Sequence, residues 1–179
     1  MNRNIFIKIS SIFLLALISI VFNKPTQAIT EHEPENLIIS MEEKARIVFD
    51  SLSIEGLEFE VFLKAYNGYN KLLNNGKIQN RILSIIDFSK SSNTERLYVI
   101  DMEKNAINYK SLVAHGKMSG NEYADSFSNI LNSGKSSIGF YVTAETYSGK
   151  HGYSLRLDGM EDSNSEARSR AKVVHRAEY

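Results

Sequence analysis

The sequence predicts an α+β fold: an N-terminal helical pair packed on an incomplete, mainly antiparallel β-sandwich. Three observations predict it. Apolar residues between Met41 and Leu73 recur at helical steps. From Ile82 onward, short β-branched and aromatic runs are separated by turn residues. The chain then stops at Tyr179, just after it enters a last strand, which leaves a sheet edge unpaired.

Residues 1–28 read as a signal peptide. Arg3 and Lys8 give a positive start, and Ile9 to Phe22 run apolar except for Ser10, Ser11 and Ser19. Thr26-Gln27-Ala28 then sets small residues at a cleavable spacing. A fourteen-residue run is short for a bilayer core, which takes roughly 20 apolar residues. The expectation is an exported protein, periplasmic, with no stable membrane anchor once the signal is cleaved. Cleavage leaves 151 of the 179 residues, with 18 basic against 21 acidic side chains. That length supports one domain with a real core, and the near-neutral balance gives no electrostatic capture of nucleic acid. The absence of cysteine excludes disulfides and cysteine-based metal sites.

The remainder divides into a helical N-terminal segment over residues 29–80 and a β domain over residues 81–179. Residues 29–36 are polar, and His32 among them reads as a solvated tail residue. Met41, Ala45, Val48, Phe49 and Leu52 lie on one helical face, with Glu42, Glu43, Lys44 and Arg46 elsewhere. Phe59, Phe62, Leu63, Tyr66, Tyr69 and Leu73 repeat the pattern, and Asn74-Asn75-Gly76 supplies a left-handed stop. At this spacing the Phe/Tyr stripe reads as core packing. Ile82–Phe88 predicts a strand, and Arg96–Asp101 with Ile107–Ala114 predicts a hairpin turning at Met102–Asn105. Gly116 to Gly134 reads as a long loop, of a length that is functional or mobile inside a compact domain. Ile138–Thr146 and Tyr153–Leu157 read as strands about a turn at Ser148–Gly152, residues 163–171 as a short polar helix, and Lys172–His175 as the start of a strand.

His115, His151 and His175 each fall at a strand end or turn, and histidine suits proton transfer near neutral pH. Each also fits a hydrogen-bonded surface role. Their spacings of 36 and 24 residues, with none on a helix, give no zinc motif. No metal and no cofactor is expected. No G-x-S-x-G elbow occurs. Ser133-Gly134-Lys135-Ser136 lacks the earlier glycine of a phosphate loop and precedes a strand.

Ile86-Asp87-Phe88-Ser89, Arg96 to Asp101, Val113-Ala114-His115-Gly116, Ser119-Gly120 and Phe127-Ser128-Asn129 form one series of ordered blocks. Ser136 to Thr143, Thr146-Tyr147, His151 to Leu157 and Val173-Val174-His175 continue it. From about Leu57 to Tyr179 the chain resembles the murein L,D-transpeptidase catalytic-domain family, a branch related to YkuD-type enzymes. The resemblance implies a partial β domain of that kind over residues 81–179. It also implies a partner, the peptidoglycan stem peptide, which a histidine-activated cysteine attacks at the third-position diamino acid while backbone N–H groups receive the oxyanion.

By resemblance His175 occupies the general-base position. His115, His151 and Tyr153 become candidate substrate-binding residues, with a structural turn role as the alternative for the two histidines. Pairing of Tyr153 with Arg156 around a carboxylate is disfavoured, since alternation places them on opposite faces. Family members usually carry His-Gly and then an S-x-G-C segment; here Arg176 follows His175, and no cysteine occurs. The expectation is a transpeptidase-like cell-wall protein truncated before its nucleophile and inactive alone. The alternatives are a non-catalytic peptidoglycan-binding module and a non-functional truncated product. Uncovered apolar surface at the missing sheet portion would further predict poor folding or aggregation through the open edge.

Overall fold

The computed structural model describes residues 39–176, so the predicted signal peptide and His32 lie outside the described residues. Two helices open the fold. α1 (Met41–Leu52) starts at a capping box: Glu43 N–H donates to Ser40 Oγ, and Ser40 N–H donates to Glu43 Oε2. Ser53 ends it in the left-handed region, at φ 48°. α2 (Phe59–Asn74) ends as Asn75-Gly76 predicts. Gly76 takes φ 65°, its N–H donates to Leu73 O, and Lys77 N–H donates to Leu72 O. These two bonds close a Schellman motif.

The first sheet is β1 (Ile82–Ile86), β2 (Leu97–Asp101) and β3 (Ala106–Ser111), in that order and antiparallel throughout. Register sets Ile85 opposite Tyr98 and Leu83 opposite Ile100. One face of this sheet therefore meets the helices, and Ala45, Leu52, Phe59, Phe62, Ile85, Tyr98 and Ile100 form the core there. Phe49 bridges the helices, its ring centroid 5.4 Å from Phe59 and 5.2 Å from Phe62.

The second sheet is β4 (Tyr141–Gly149), β5 (Gly152–Gly159) and β6 (Val173–His175), again antiparallel and in sequence order. The expected α+β arrangement is the one observed: two helices followed by two antiparallel three-stranded sheets. Packing of α2 reaches toward the second sheet through Gly68. A Cβ there would fall 2.1 Å from the Phe140 ring, so only glycine admits the residue that leads into β4.

One prediction is corrected. Residues 163–171 are not a helix but a succession of turns. Their N–H groups reach back unevenly: Ala167 to Asn164 O, Arg170 to Glu166 O, and Lys172 to Ala167 O. The reason lies in Asn164, which is fully buried. Its Oδ1 accepts from Glu161 N–H, and its Nδ2 donates to Phe140 O. Side chains that bond the backbone in this way compete with helix formation. Strand β4 also begins later than predicted, at Tyr141, because Gly139 (φ 125°) and Ile138 O serve this same docking.

Candidate functional site

The loop from residue 112 to 140 is tightly bonded. Ser119, 1% exposed, is its hub. Its N–H donates to Gly116 O, its carbonyl accepts from Asp125 and Ser126, and its Oγ accepts from Ser136 N–H. Arg170 fastens the far half of the loop, donating to Ser128 O, Ser137 Oγ, Ser133 Oγ and Lys135 O. Lys172 Nζ adds a bond to Lys135 O, and its partial burial lowers its pKa. Lys135 itself donates to Ser126 Oγ, so the Gly-Lys-Ser stretch serves the loop. Along the near half, Lys117, Met118, Gly120, Asn121, Glu122, Tyr123 and Asp125 line an open groove of about 470 Å³.

His115 lies under that groove. Arg96 Nη2 approaches its Nδ1 at 2.8 Å, and Gly120 O lies 3.2 Å from its Nε2. A guanidinium only donates and a carbonyl only accepts. His115 is therefore the neutral tautomer with its proton on Nε2, and both ring nitrogens are engaged. The edge of its ring meets Phe88. Arg96, fully buried, was missed as a functional residue, yet the sequence carried a signal. Alternation puts Arg96 on the same face as Tyr98 and Ile100, and a charge on a core face asks for a set of acceptors.

His151 and His175 come together on the second sheet. His151 is the second residue of the two-residue turn joining β4 to β5, closed by the Gly149–Gly152 pair. β6 pairs with β5 so that His175 lies opposite Ser154. The two imidazoles stack with centroids 4.7 Å apart and planes 18° from parallel. His175 Nδ1 lies 2.7 Å from Arg176 O, so Nδ1 carries a proton, and in the neutral ring the lone pair is on Nε2. Both residues are exposed. Tyr153, 72% exposed, stands on the opposite face from Ser154 and His175. No bond or ring contact joins His115 to this pair. Among the described residues no group of three or more histidine and acidic side chains is placed to hold a metal.

The second sheet also carries an ionic network at a β-bulge. The register slips between Thr143 and Thr146, and such a bulge re-aims the inserted side chain. Glu145 meets Arg156 at 3.2 Å and Arg168 at 2.8 Å, while Arg168 Nε donates to Asp158 Oδ1 at 2.6 Å. Arg156 also covers the Tyr147 ring. Hydrogen bonds from Arg168 hold both the Glu145 and Asp158 carboxyls below the usual carboxylate range. Their folded-state pKa values lie under the unfolded ones, so the stabilisation is full above the ordinary range and is lost as pH falls through the depressed values. The second sheet is thus expected to loosen as pH drops below about 4. Amide exchange along Thr143–Gly149 should rise before that of Tyr98–Ile100. Because the network is exposed, the loosening should be modest, and salt, which screens the pairs, should shrink it further.

The family described as L,D-transpeptidase catalytic domain (YkuD_2) matches residues 53–179. No curated protein and no solved structure matches the chain.

Proposed function

From a chain that belongs to the L,D-transpeptidase catalytic-domain family, we propose a cell-wall protein of exported, periplasmic location that engages peptidoglycan stem peptides. In this reading His175 holds the general-base position, and these 179 residues do not carry out acyl transfer unaided. The observation that carries it is the family match across residues 53–179 in a chain without a single cysteine. The family reaction needs a thiolate to form the acyl-enzyme, and removing the nucleophile abolishes the covalent step outright.

The geometry of His175 supports the assignment of a base. A base must present an unprotonated nitrogen to its partner, and the bond from Nδ1–H to Arg176 O makes Nε2 that nitrogen in the neutral ring. The groove along residues 117–125, with Lys117 beside Glu122 and Asp125, offers both charges to a zwitterionic peptide. Removal of the predicted signal peptide would leave a soluble domain in this reading. No helix among the described residues is long and apolar enough to cross a membrane.

The test is incubation of the purified chain with purified sacculi, followed by sedimentation and muropeptide analysis. Retention on the sacculi with unchanged cross-links is the expected result. Joining or trimming of stem peptides by the cysteine-free chain would overturn the assignment of the reacting group, and failure to sediment would remove the binding role.

A further inference from the structure

We propose that His151 is a positioning residue for His175: its ring, stacked on that of His175, holds the latter in the orientation and tautomer that leave Nε2 open. The proposal rests on the reading of His175 as the base position. The need for such a support comes from the strand that carries His175. Among the described residues β6 is three residues long and is paired on one side only, to β5, and His175 is its last residue. The residue opposite, Ser154, is buried, and its hydroxyl donates to Gly152 O, so it does not anchor the imidazole. Among the described residues two contacts remain. One is the Nδ1–H bond to Arg176 O, made to the adjoining residue at the end of a short strand. The other is the His151 ring, 4.7 Å away and 18° from parallel.

The turn geometry makes His151 suited to this task. A two-residue turn fixes its backbone through the Gly149–Gly152 pair, where Gly152 takes φ 80°, so the ring is presented from a rigid hairpin tip. An aromatic face laid over an imidazole limits rotation about χ2 by contact area and does not compete for either ring nitrogen. Among the described residues the nearest charges in sequence, Lys150 on the turn and Arg176 after His175, are both cationic, and neither offers the ring an acceptor.

The measurement is a long-range ¹H–¹⁵N spectrum of the full chain at a pH where imidazoles are neutral, for wild type, His151→Phe and His151→Ala. Wild type should show His175 protonated on Nδ1 and a ring-to-ring NOE with residue 151. His151→Phe, which keeps an aromatic face, should retain the tautomer ratio. His151→Ala should lower the ratio of Nδ1–H to Nε2–H by roughly twofold to tenfold, the worth of one aromatic pair. An unchanged ratio in His151→Ala, or no NOE in wild type, would overturn the positioning role. Because the measurement uses no substrate, it answers independently of sacculus binding. Failure on sacculi with a shifted ratio strikes only the cell-wall reading.

Discussion

Arg96→Leu is expected to lower the free energy of unfolding by about 4 kcal/mol, the sum of several buried acceptors left without donors at about 1–3 kcal/mol each. Arg96 is fully buried. Its Nε and Nη2 donate to Val113 O, its Nη1 donates to Lys90 O at 2.7 Å, and Nη2 also meets His115 Nδ1. Leucine fills the space and satisfies none of these groups. For a domain with about 5–15 kcal/mol to lose, the loss is a large share. Urea titration should show a lower midpoint at an unchanged slope. Arg96→Lys should recover less than half of the loss, because an ammonium on a flexible stem does not reproduce a planar fork that reaches two backbone carbonyls and an imidazole. The consequence extends to the groove. Without the guanidinium only Gly120 O favours the His115 proton on Nε2, so that bond weakens. The Gly120–Tyr123 turn would then lose its support from below. A Cβ at Gly120 would fall 2.0 Å from Tyr123 O, which shows how closely that turn is folded.

The helices were legible because their signals are local. The steps of Met41, Ala45, Val48 and Leu52 and the Gly76 stop each act within a few residues. Strands were legible in kind and less so in extent. β4 starts at Tyr141, three residues after the apolar run begins, because the preceding backbone is drawn to Asn164 and Ser163 more than twenty residues away. That same long-range demand turned 163–171 from a helix into turns, and no periodicity within the segment records it. The three histidines were found as residues. The stacking of two of them was not, since it depends on β6 pairing with β5 at Ser154. Arg170 left no trace in the sequence pattern, for its acceptors are mostly carbonyl and hydroxyl groups 33 to 42 positions earlier.

Phe62→Ala should cost about 3–5 kcal/mol, the usual range for emptying a well-packed aromatic site, and lower the melting temperature by on the order of 15 °C. Phe62 is fully buried, tilted against Phe49 and stacked on Tyr66 at 5.7 Å. The cavity would open at the centre of the only buried apolar cluster among the described residues, which draws on both helices, β1 and β2 and on no residue of β4, β5 or β6. The second sheet is instead held by Arg168 and Asn164, while Arg170 ties the turns that follow β5 to the loop before β4. The damage should therefore spread unevenly, and amide exchange can follow it. Protection in α2 and β2 should fall first. It should pass next to Tyr141–Thr143, because the Phe140 ring packs on Gly68 of α2 while its carbonyl accepts from Asn164 and Met160. The hairpin tip at Tyr147–Gly149, remote from that contact along β4, should respond last. Equal loss of protection along the whole of β4 would mean that the polar clamp and the apolar core form one cooperative unit, with Phe140 as the joint between them.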